Sequence, residues 1–344
     1  MSKSDFERTV LIIGGTGSLG NALTESLLKE DNAIEKIIIF SRDEFKQHEM
    51  RLKFLNKKIS TDEVIYNNFS RKVEFQIGDI RDYHSVVRAL KNVDIVFNTA
   101  AIKQVPVAEY NPMEAIKTNV IGTSNIINAI IEHEMYVGTV VGISTDKACL
   151  PINAYGMTKA LMERLIIAAN IQSIDTRFVL ARYGNVMASR GSVIPLFRNQ
   201  LDNNKDITVT DPSMTRFMMN MDQAVDTIID TYQFAYTGEI YVPKIPSAKI
   251  VDVATAMIGN RNIKIEYTGI RPGEKLHEML VSNIEMRRCY HSKGYYIIRP
   301  DLPELHKYLP LEYYPVDDID EYTSKDNILN LEEVGQLLSE NKLL

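Results

Sequence analysis

Residues 9–20 read TVLIIGGTGSLG, and the order of residue types in them decides the fold. Thr9 to Ile13 form a short β-branched and aliphatic run, as expected of a strand buried on both faces. Glycines follow at 14, 15, 17 and 20. From there GNALTESLLKE (20–30) changes to helical spacing, with Ala22, Leu23, Leu27 and Leu28 on one side. A strand closing in glycine and a helix opening from it form the first unit of a parallel sheet with crossover helices.

The unit then repeats. KIIIFSR (36–42), KVEFQIGD (72–79), VDIVFNTAA (93–101) and VGTVVGIST (137–145) read as further strands. Helical segments lie between them, from about Asp43 and near 82–90, 111–132 and 153–170. The alternation predicts an α/β, doubly wound parallel sheet over residues 1–186. Right-handed crossovers place the ligand crevice of such a sheet at the carboxyl ends of its strands. After TRFVLARYGNV (176–186) the regularity fades into loops such as VTDPSMTR and VPKIPSAK. A smaller mixed substrate lobe is expected over 187–300, with some segments returning to the first domain. Residues 301–344 read as a C-terminal extension without an assigned role, and 56–71 as a surface insertion.

The 344 residues are enough for one large or two modest domains. Apolar content of 45% and charged content of 24% are ordinary for a soluble enzyme. A net charge of −6 with dispersed Lys and Arg argues against a nucleic-acid partner. Cys149 and Cys289 are the only cysteines, so neither a disulfide framework nor a zinc site is expected. No run is long enough to insert in a membrane, and the start is too polar for a signal peptide. A reducing, cytoplasmic setting is the expectation, with no metal.

The glycines carry the first chemical reading. Gly15, Gly17 and Gly20 satisfy G-x-G-x-x-G, while Gly14, Gly17 and Gly20 satisfy G-x-x-G-x-x-G. Bare backbone lets N–H groups approach a pyrophosphate, and the helix N-terminus adds partial positive charge. The pattern alone is a common accident, and the strand before it and helix after it are what give it weight. The second strand ends in Ser41 and Arg42, the arginine 22 residues past Gly20. A hydroxyl and a guanidinium fork, with Lys46 following, suit a 2′-phosphate and so NADP. Asp43 keeps NAD open, because an acidic residue near this place can accept from a ribose hydroxyl.

Tyr155 and Lys159 form Y-x-x-x-K at a helix start, one turn apart, so both can face a nicotinamide ribose. A lysine ammonium beside a tyrosine favours the phenolate, which can take a proton from a sugar hydroxyl while hydride leaves the same carbon. Thr145 stands where such an enzyme offers a hydroxyl to its substrate, and Asp146 and Lys147 follow directly. Oxidising one alcohol needs only the tyrosine, so an extra acid and base imply an added proton transfer. Once carbon 4 of a hexose is a ketone, the carbon-5 proton becomes acidic. Lys147 can then remove that proton while Asp146 protonates the departing 6-hydroxyl. To act so, Lys147 must be neutral, which calls for a depressed pKa. A solvent-facing ion pair is an equally simple reading of the same two residues.

With these residues in view, the chain resembles the extended short-chain dehydrogenase/reductases. More narrowly it is similar to the UDP-N-acetylglucosamine 4,6-dehydratases of bacterial polysaccharide and flagellin-sugar pathways. The matching stretches are GGTGSLG, FSRDEFKQ, GDIRD, AAIKQVPVAEYNPMEAIKTNVIGT, STDKACLPINAYGMTK, RYGNVMASRGSVIPLF, TDPSMTRFMM and GIRPGEKLHEML, in order over about 10 to 282. The resemblance implies NADP held by Thr16, Gly17, Ser18 and Leu19, with Ser41, Arg42 and Lys46 near the 2′-phosphate. It implies Asp79 and Ile80 near the adenine and Ala100 and Ala101 on the nicotinamide side. Asp146, Lys147 and Tyr155 would be the catalytic set, agreeing with the chemistry above. Lys103, Asn185, Arg216, Arg271 and Glu274 fall in the motifs that bind UDP-GlcNAc, where arginine forks suit a diphosphate. Assembly as a homo-oligomer, a dimer or a hexamer, is also implied, through helices like 111–132 and 153–170.

Relatives of this kind divide at carbon 5. Tyrosine in the INAYG position with a lysine base goes with inversion, and Tyr155 favours that outcome. RYGNVMASRGSVIPLF and TDPSMTRFMM resemble capsule-type enzymes that carry methionine there, so retention stays open. A simple nucleotide-sugar epimerase or reductase is the alternative, which the Asp146–Lys147 pair speaks against.

Overall fold

A computed structural model describes residues 8–30, 34–54, 72–173, 175–187, 192–306, 310–316 and 318–344. The expected insertion at 56–71 lies outside the described residues. The first half builds six strands: β1 (Arg8–Ile13), β2 (Ile34–Ser41), β3 (Val73–Ile77), β4 (Ile95–Asn98), β5 (Thr139–Thr145) and β6 (Arg177–Tyr183). All pair in parallel, in the order β3-β2-β1-β4-β5-β6. Every residue of β5 is buried, as it must be when helices cover both faces of a sheet. The strand order reverses between β1 and β4, so their carboxyl ends open the crevice expected of a doubly wound sheet.

The second half does not form one separate lobe. β7 (Ile207–Val209), β8 (Thr215–Phe217), β10 (Ser247–Lys249) and β11 (Ile265–Tyr267) pair only among themselves, β8 with β10 and β7 with β11. By contrast β9 (Ile240–Pro243) adds in parallel to β6, and β14 (Tyr295–Ile298), β13 (Cys289–Ser292) and β15 (Tyr314–Pro315) extend the sheet antiparallel beyond it. The main sheet thus has ten strands. β12 (Met279–Val281) pairs with β16 (Tyr322–Thr323) beside the crevice.

Residues 301–344, without an assigned role in the sequence, are shared between the two bodies. β15 joins the sheet, and the helix Leu331–Glu340 packs on the helix Ile250–Ile258. That contact closes a second apolar core with Ile194, Phe197, Val253, Ala254, Val334 and Leu338, all fully or almost fully buried. The terminal helix starts cleanly because Asn330 and Glu333 cap each other's backbone N–H groups.

A buried charge network ties β12 and the segment after it to the main sheet. Arg182 on β6 is 1% exposed and donates to Glu163 on the helix Ala154–Gln172 at 2.7 and 2.8 Å. The same guanidinium reaches Glu285 at 2.7 Å and the Leu280 carbonyl of β12 at 2.9 Å. Five donors in a planar fork are needed for this, which lysine could not supply. Burial raises the Glu285 carboxyl, but Arg182 and Ser282 outweigh that and hold it down at about 2.

Two stability predictions follow from this architecture. Truncating Leu338 to alanine should cost about 2–5 kcal/mol, read as a lower urea midpoint. Glu285 has a folded pKa below its ordinary 4.5, so its stabilisation is present above pH 4.5 and lost as pH falls towards 2. The wild type should exceed Glu285→Gln by on the order of 3 kcal/mol near neutrality, with the gap closing across that acid window.

Candidate active site

Each of the six parallel strands delivers candidate residues at its carboxyl end. After β1, Gly14 takes a φ of +78°, and a Cβ there would lie 2.7 Å from the Ala100 nitrogen. A Cβ on Gly20 would lie 2.5 Å from the Gly15 Cα. The turn therefore closes only without side chains, and leads into the helix Ser18–Glu30 with Gly17 and Ser18 exposed and Leu19 partly buried. The Thr16 hydroxyl donates to the Ser41 hydroxyl at 3.0 Å, joining this loop to the end of β2. Bare backbone at a helix N-terminus, bordered by Ala100 and Ala101, fits the pyrophosphate of a dinucleotide.

At the end of β2, Arg42 is exposed and lies 3.8 Å from Asp79. Both Asp43 oxygens face Lys46, one accepting from its backbone N–H at 3.0 Å and one pairing with its ammonium at 2.6 Å. Asp79 binds the Arg81 fork, which, against the effect of burial, holds its carboxyl below the usual range. Ile80 is buried, its side chain filling the space below Gly122.

The candidate catalytic turn follows β5. The Thr145 hydroxyl donates to Asp146 Oδ1 at 2.7 Å, and Lys147 Nζ donates to the two Asp146 oxygens at 3.0 and 3.2 Å. Asp146 is 1% exposed. The helix Ala154–Gln172 begins directly against this turn, with Asn153 capping it by accepting from the Gly156 N–H at 2.8 Å. A Cβ at residue 156 would meet the Lys147 carbonyl oxygen at 2.2 Å, so glycine is required for the two to pack. That packing brings Tyr155 onto Thr145, Asp146 and Lys147.

Two protonation expectations are corrected here. Lys147 is not depressed towards a neutral amine. Burial does lower it, but Asp146 and Glu278, the latter at 3.3 Å, together raise it above the ordinary lysine value. It is an ammonium between two carboxylates. Nor does Lys159 draw Tyr155 towards the phenolate. Its buried amine turns to the Met162 sulfur at 2.8 Å, and burial, opposed by Glu163, lowers it to about 8. Burial pushes Tyr155 up to about 12, and the groups that oppose it are the Thr145 hydroxyl and the Lys147 charge.

The second body supplies the opposite wall. Arg216 on β8 is 8% exposed, bonded through Nη1 to the Thr215 and Leu276 carbonyls, with Glu274 3.5 Å from Nη2 and Glu278 3.7 Å from Nε. Buried Asn185 Oδ1 and Glu274 Oε2 have no hydrogen-bond partner among the described residues. Lys103 belongs to the same field, since burial and the Lys147 charge lower it. Arg271 is exposed on the loop preceding Glu274. The structure thus gathers Lys103, Thr145, Asp146, Lys147, Tyr155, Arg216 and Glu274, while Lys159 and Ile80 turn elsewhere.

Several residues in this site were not legible in advance. Glu278 touches Lys147 from 131 positions away. Lys275 Nζ donates to the Cys149 carbonyl at 2.7 Å, and Asn153 donates to the Gly273 carbonyl at 2.8 Å, clamping the 273–275 loop on the catalytic turn. Asn119 lies on a π-helical turn, Ile116–Ile121, and holds both backbone groups of Ile102 together with Thr158. Glu278, Lys275 and Asn119 all lie in stretches noted for their resemblance, which was the signal available.

Comparison with known proteins agrees with this fold. A protein from Rickettsia bellii named UDP-glucose 4-epimerase is 45% identical over 96% of this chain and 95% of its own. The X-ray structure of Pen from Bacillus thuringiensis is 37% identical, covers 99% of this chain and 100% of its own, and superposes with a TM-score of 0.88. The fold is shared with the DesIV dTDP-glucose 4,6-dehydratase from Streptomyces venezuelae, solved with NAD and TYD bound, at 18% identity, a TM-score of 0.64 and coverage of 97% of this chain and 98% of that one. The model of a polysaccharide biosynthesis protein family matches residues 10–300. The chain belongs to that polysaccharide biosynthesis family.

Proposed function

We propose that this protein is an NADP-dependent UDP-N-acetylglucosamine 4,6-dehydratase of the carbon-5-inverting kind. The observation that carries the reading is the Asp146–Lys147 pair, 3.0 Å apart and set beside Tyr155. Removing a hydride and a proton from one carbinol needs a single base. An additional acid/base pair at the same place suits a second proton transfer, and water elimination is the transfer that a 4-ketosugar makes easy.

In this mechanism Tyr155 takes the proton of the 4-hydroxyl, helped by the Thr145 hydroxyl and the Lys147 charge. The dinucleotide, once bound, would supply the acceptor for the carbon-4 hydride and return it to carbon 6 after elimination, while Tyr155 gives the proton it took from the 4-hydroxyl to carbon 5, on the face away from Lys147 for inversion. The ammonium–carboxylate pair becomes an amine–acid pair by moving one proton along the 3.0 Å contact. Lys147 then removes the carbon-5 proton, the freed electron pair forms the carbon 5–carbon 6 double bond, and the carbon–oxygen bond at carbon 6 breaks. Asp146 gives its proton to the leaving hydroxide, which departs as water. The resting ion pair is thus regenerated by elimination itself. Arg216 and Arg271 would meet the diphosphate, while Lys103, Asn185 and Glu274 offer an ammonium, an amide and a carboxylate to the sugar.

NADP is preferred because both Asp43 oxygens are turned to Lys46, leaving Ser41 and the Arg42 fork as the groups at the end of β2. A homo-oligomer would bury the exposed Tyr110, Met113, Met157 and Leu161. The second reading is a nucleotide-sugar 4-epimerase, favoured by the printed name of the Rickettsia bellii relative.

Incubation of the pure protein with UDP-GlcNAc, followed by mass spectrometry, separates the two. The expected product has lost one water, and unchanged mass with a new 4-epimer would reject the dehydratase. Asp146→Asn and Lys147→Met should each slow water loss by about 10²-fold or more, whereas an epimerase would keep most of its rate. For the cofactor, Arg42→Ala should weaken NADP binding by at least about tenfold and leave NAD nearly untouched, as read by fluorescence titration.

A further inference from the structure

Glu278 has no role in the mechanism above, yet its placement is the most constrained in the crevice. Its backbone N–H donates to the Ser324 hydroxyl at 2.9 Å, and its carbonyl accepts from the Ser324 N–H at 2.8 Å. The same Ser324 hydroxyl donates to the Thr215 carbonyl. β12, which starts at the next residue, is held by Arg182 through the Leu280 carbonyl. Three separate parts of the chain therefore fix one carboxylate. It is 2% exposed, with one oxygen 3.3 Å from Lys147 Nζ and 3.7 Å from Arg216 Nε. The other oxygen is buried and has no hydrogen-bond partner among the described residues.

One oxygen of this carboxylate is turned to Lys147 and Arg216, and through that contact it acts on Lys147. Burying one at all is costly unless its charge is used by a partner. Lys147 stands at the centre of the field. Asp146 faces it from its own turn, Glu278 and Arg216 from the opposite wall, Lys103 from the loop after β4, and Tyr155 from the helix Ala154–Gln172. Two cations, Arg216 and Lys103, push the Lys147 proton off, and Asp146 alone would have to oppose them together with burial. Without a second carboxylate, the amine would also be free to swing with Asp146 as its sole anchor.

We propose that Glu278 is the positioning residue for Lys147, drawing the side chain across the crevice and keeping one proton on the Asp146–Lys147 pair. This rests on the reading of that pair as the acid/base couple, and it assigns the pair's proton inventory to a residue 131 positions away in the chain. Elimination by this couple consumes no net proton, since the amine gains what the acid gives. The couple must simply enter each cycle with one proton shared between its two members. Loss of that proton is the alkaline limit of activity, and Glu278 sets where it lies.

The test uses full-length protein labelled with 13C at lysine Cε, with Lys147→Arg identifying the Lys147 resonance. In Glu278→Gln the Lys147 amine should lose its proton at least tenfold more readily than in the wild type. Glu278→Asp should recover most of that difference, and thermal unfolding with NADP titration shows that each variant is folded. In the water-loss assay, kcat of Glu278→Gln should fall at least tenfold with little change in KM. Its alkaline limb should move at least one pH unit lower, which a merely structural loss would not produce. A Lys147 titration within threefold of wild type, or a slower variant with an unmoved alkaline limb, overturns the proposal. The titration needs no turnover, so a wild type that fails to dehydrate UDP-GlcNAc would reject the functional reading and leave the Lys147 measurement standing on its own.

Discussion

A lysine charge held between carboxylates from opposite walls of the crevice is the constraint that orders the site. Asp146 reaches Lys147 from the end of β5, and Glu278 reaches it from just before β12. The two walls meet over one apolar core, since Leu280 and Val281 of β12 join the same cluster as Val140, Val141 and Ile143 of β5, although Glu278 lies 131 positions from Lys147. Bringing them within 3.3 Å at one amine requires the supports on both sides. Arg182 joins β6 to β12, Lys275 fastens the neighbouring loop to the Cys149 carbonyl, and Ser324 pins the Glu278 backbone. The buried Arg182 network is costly to desolvate, and its value lies in specifying one arrangement of the walls.

Much of the first half was open to reading from local pattern alone. β1, β2, β4, β5 and β6 lie inside the sheet and each carries an apolar run between helices, while β3 at the edge reads VEFQI, interrupted by Glu74 and Gln76. The glycines at 14 and 20 are legible because their reason is local, a turn that no Cβ can enter. Beyond about 186 the pairing partners, the β13–β14 hairpin apart, stop being neighbours in sequence. β8 pairs with β10, β12 with β16, and β15 returns to the main sheet after some 130 residues away from β6. Strands of two to four residues carry too few positions for a period to show. The terminal helix has a readable capping pattern at Asn330 and Glu333, but nothing in it says which core it will close.

In the site, residue types proved more legible than protonation states. Thr145, Asp146, Lys147 and Tyr155 could be singled out because adjacency in sequence and one helical turn place them together. The charge on Lys147 could not, because it depends on Glu278, Arg216 and Lys103, none of which is a sequence neighbour. Reasoning from chemistry alone asked for a neutral amine and so expected a low pKa. On the proposed reading the same chemical need is met differently, with amine and acid stored as an ion pair one proton hop away.

That difference bears on how such a site can be built. A lysine made neutral by burial would need an apolar pocket, and the same pocket would disfavour the carboxylates and arginines that a sugar diphosphate demands. An ion pair has no such conflict. It sits comfortably among Arg216, Glu274 and Glu278, and the hop that activates it changes no net charge in the crevice. Its cost is that the amine–acid form is the minor one at rest, and every residue that stabilises the ammonium makes it rarer. Glu278 is then a compromise between a firmly placed lysine and a readily surrendered proton. On the proposed reading, Arg216, 3.7 Å from the same carboxylate, would shift that compromise when its own charge is drawn to a substrate anion.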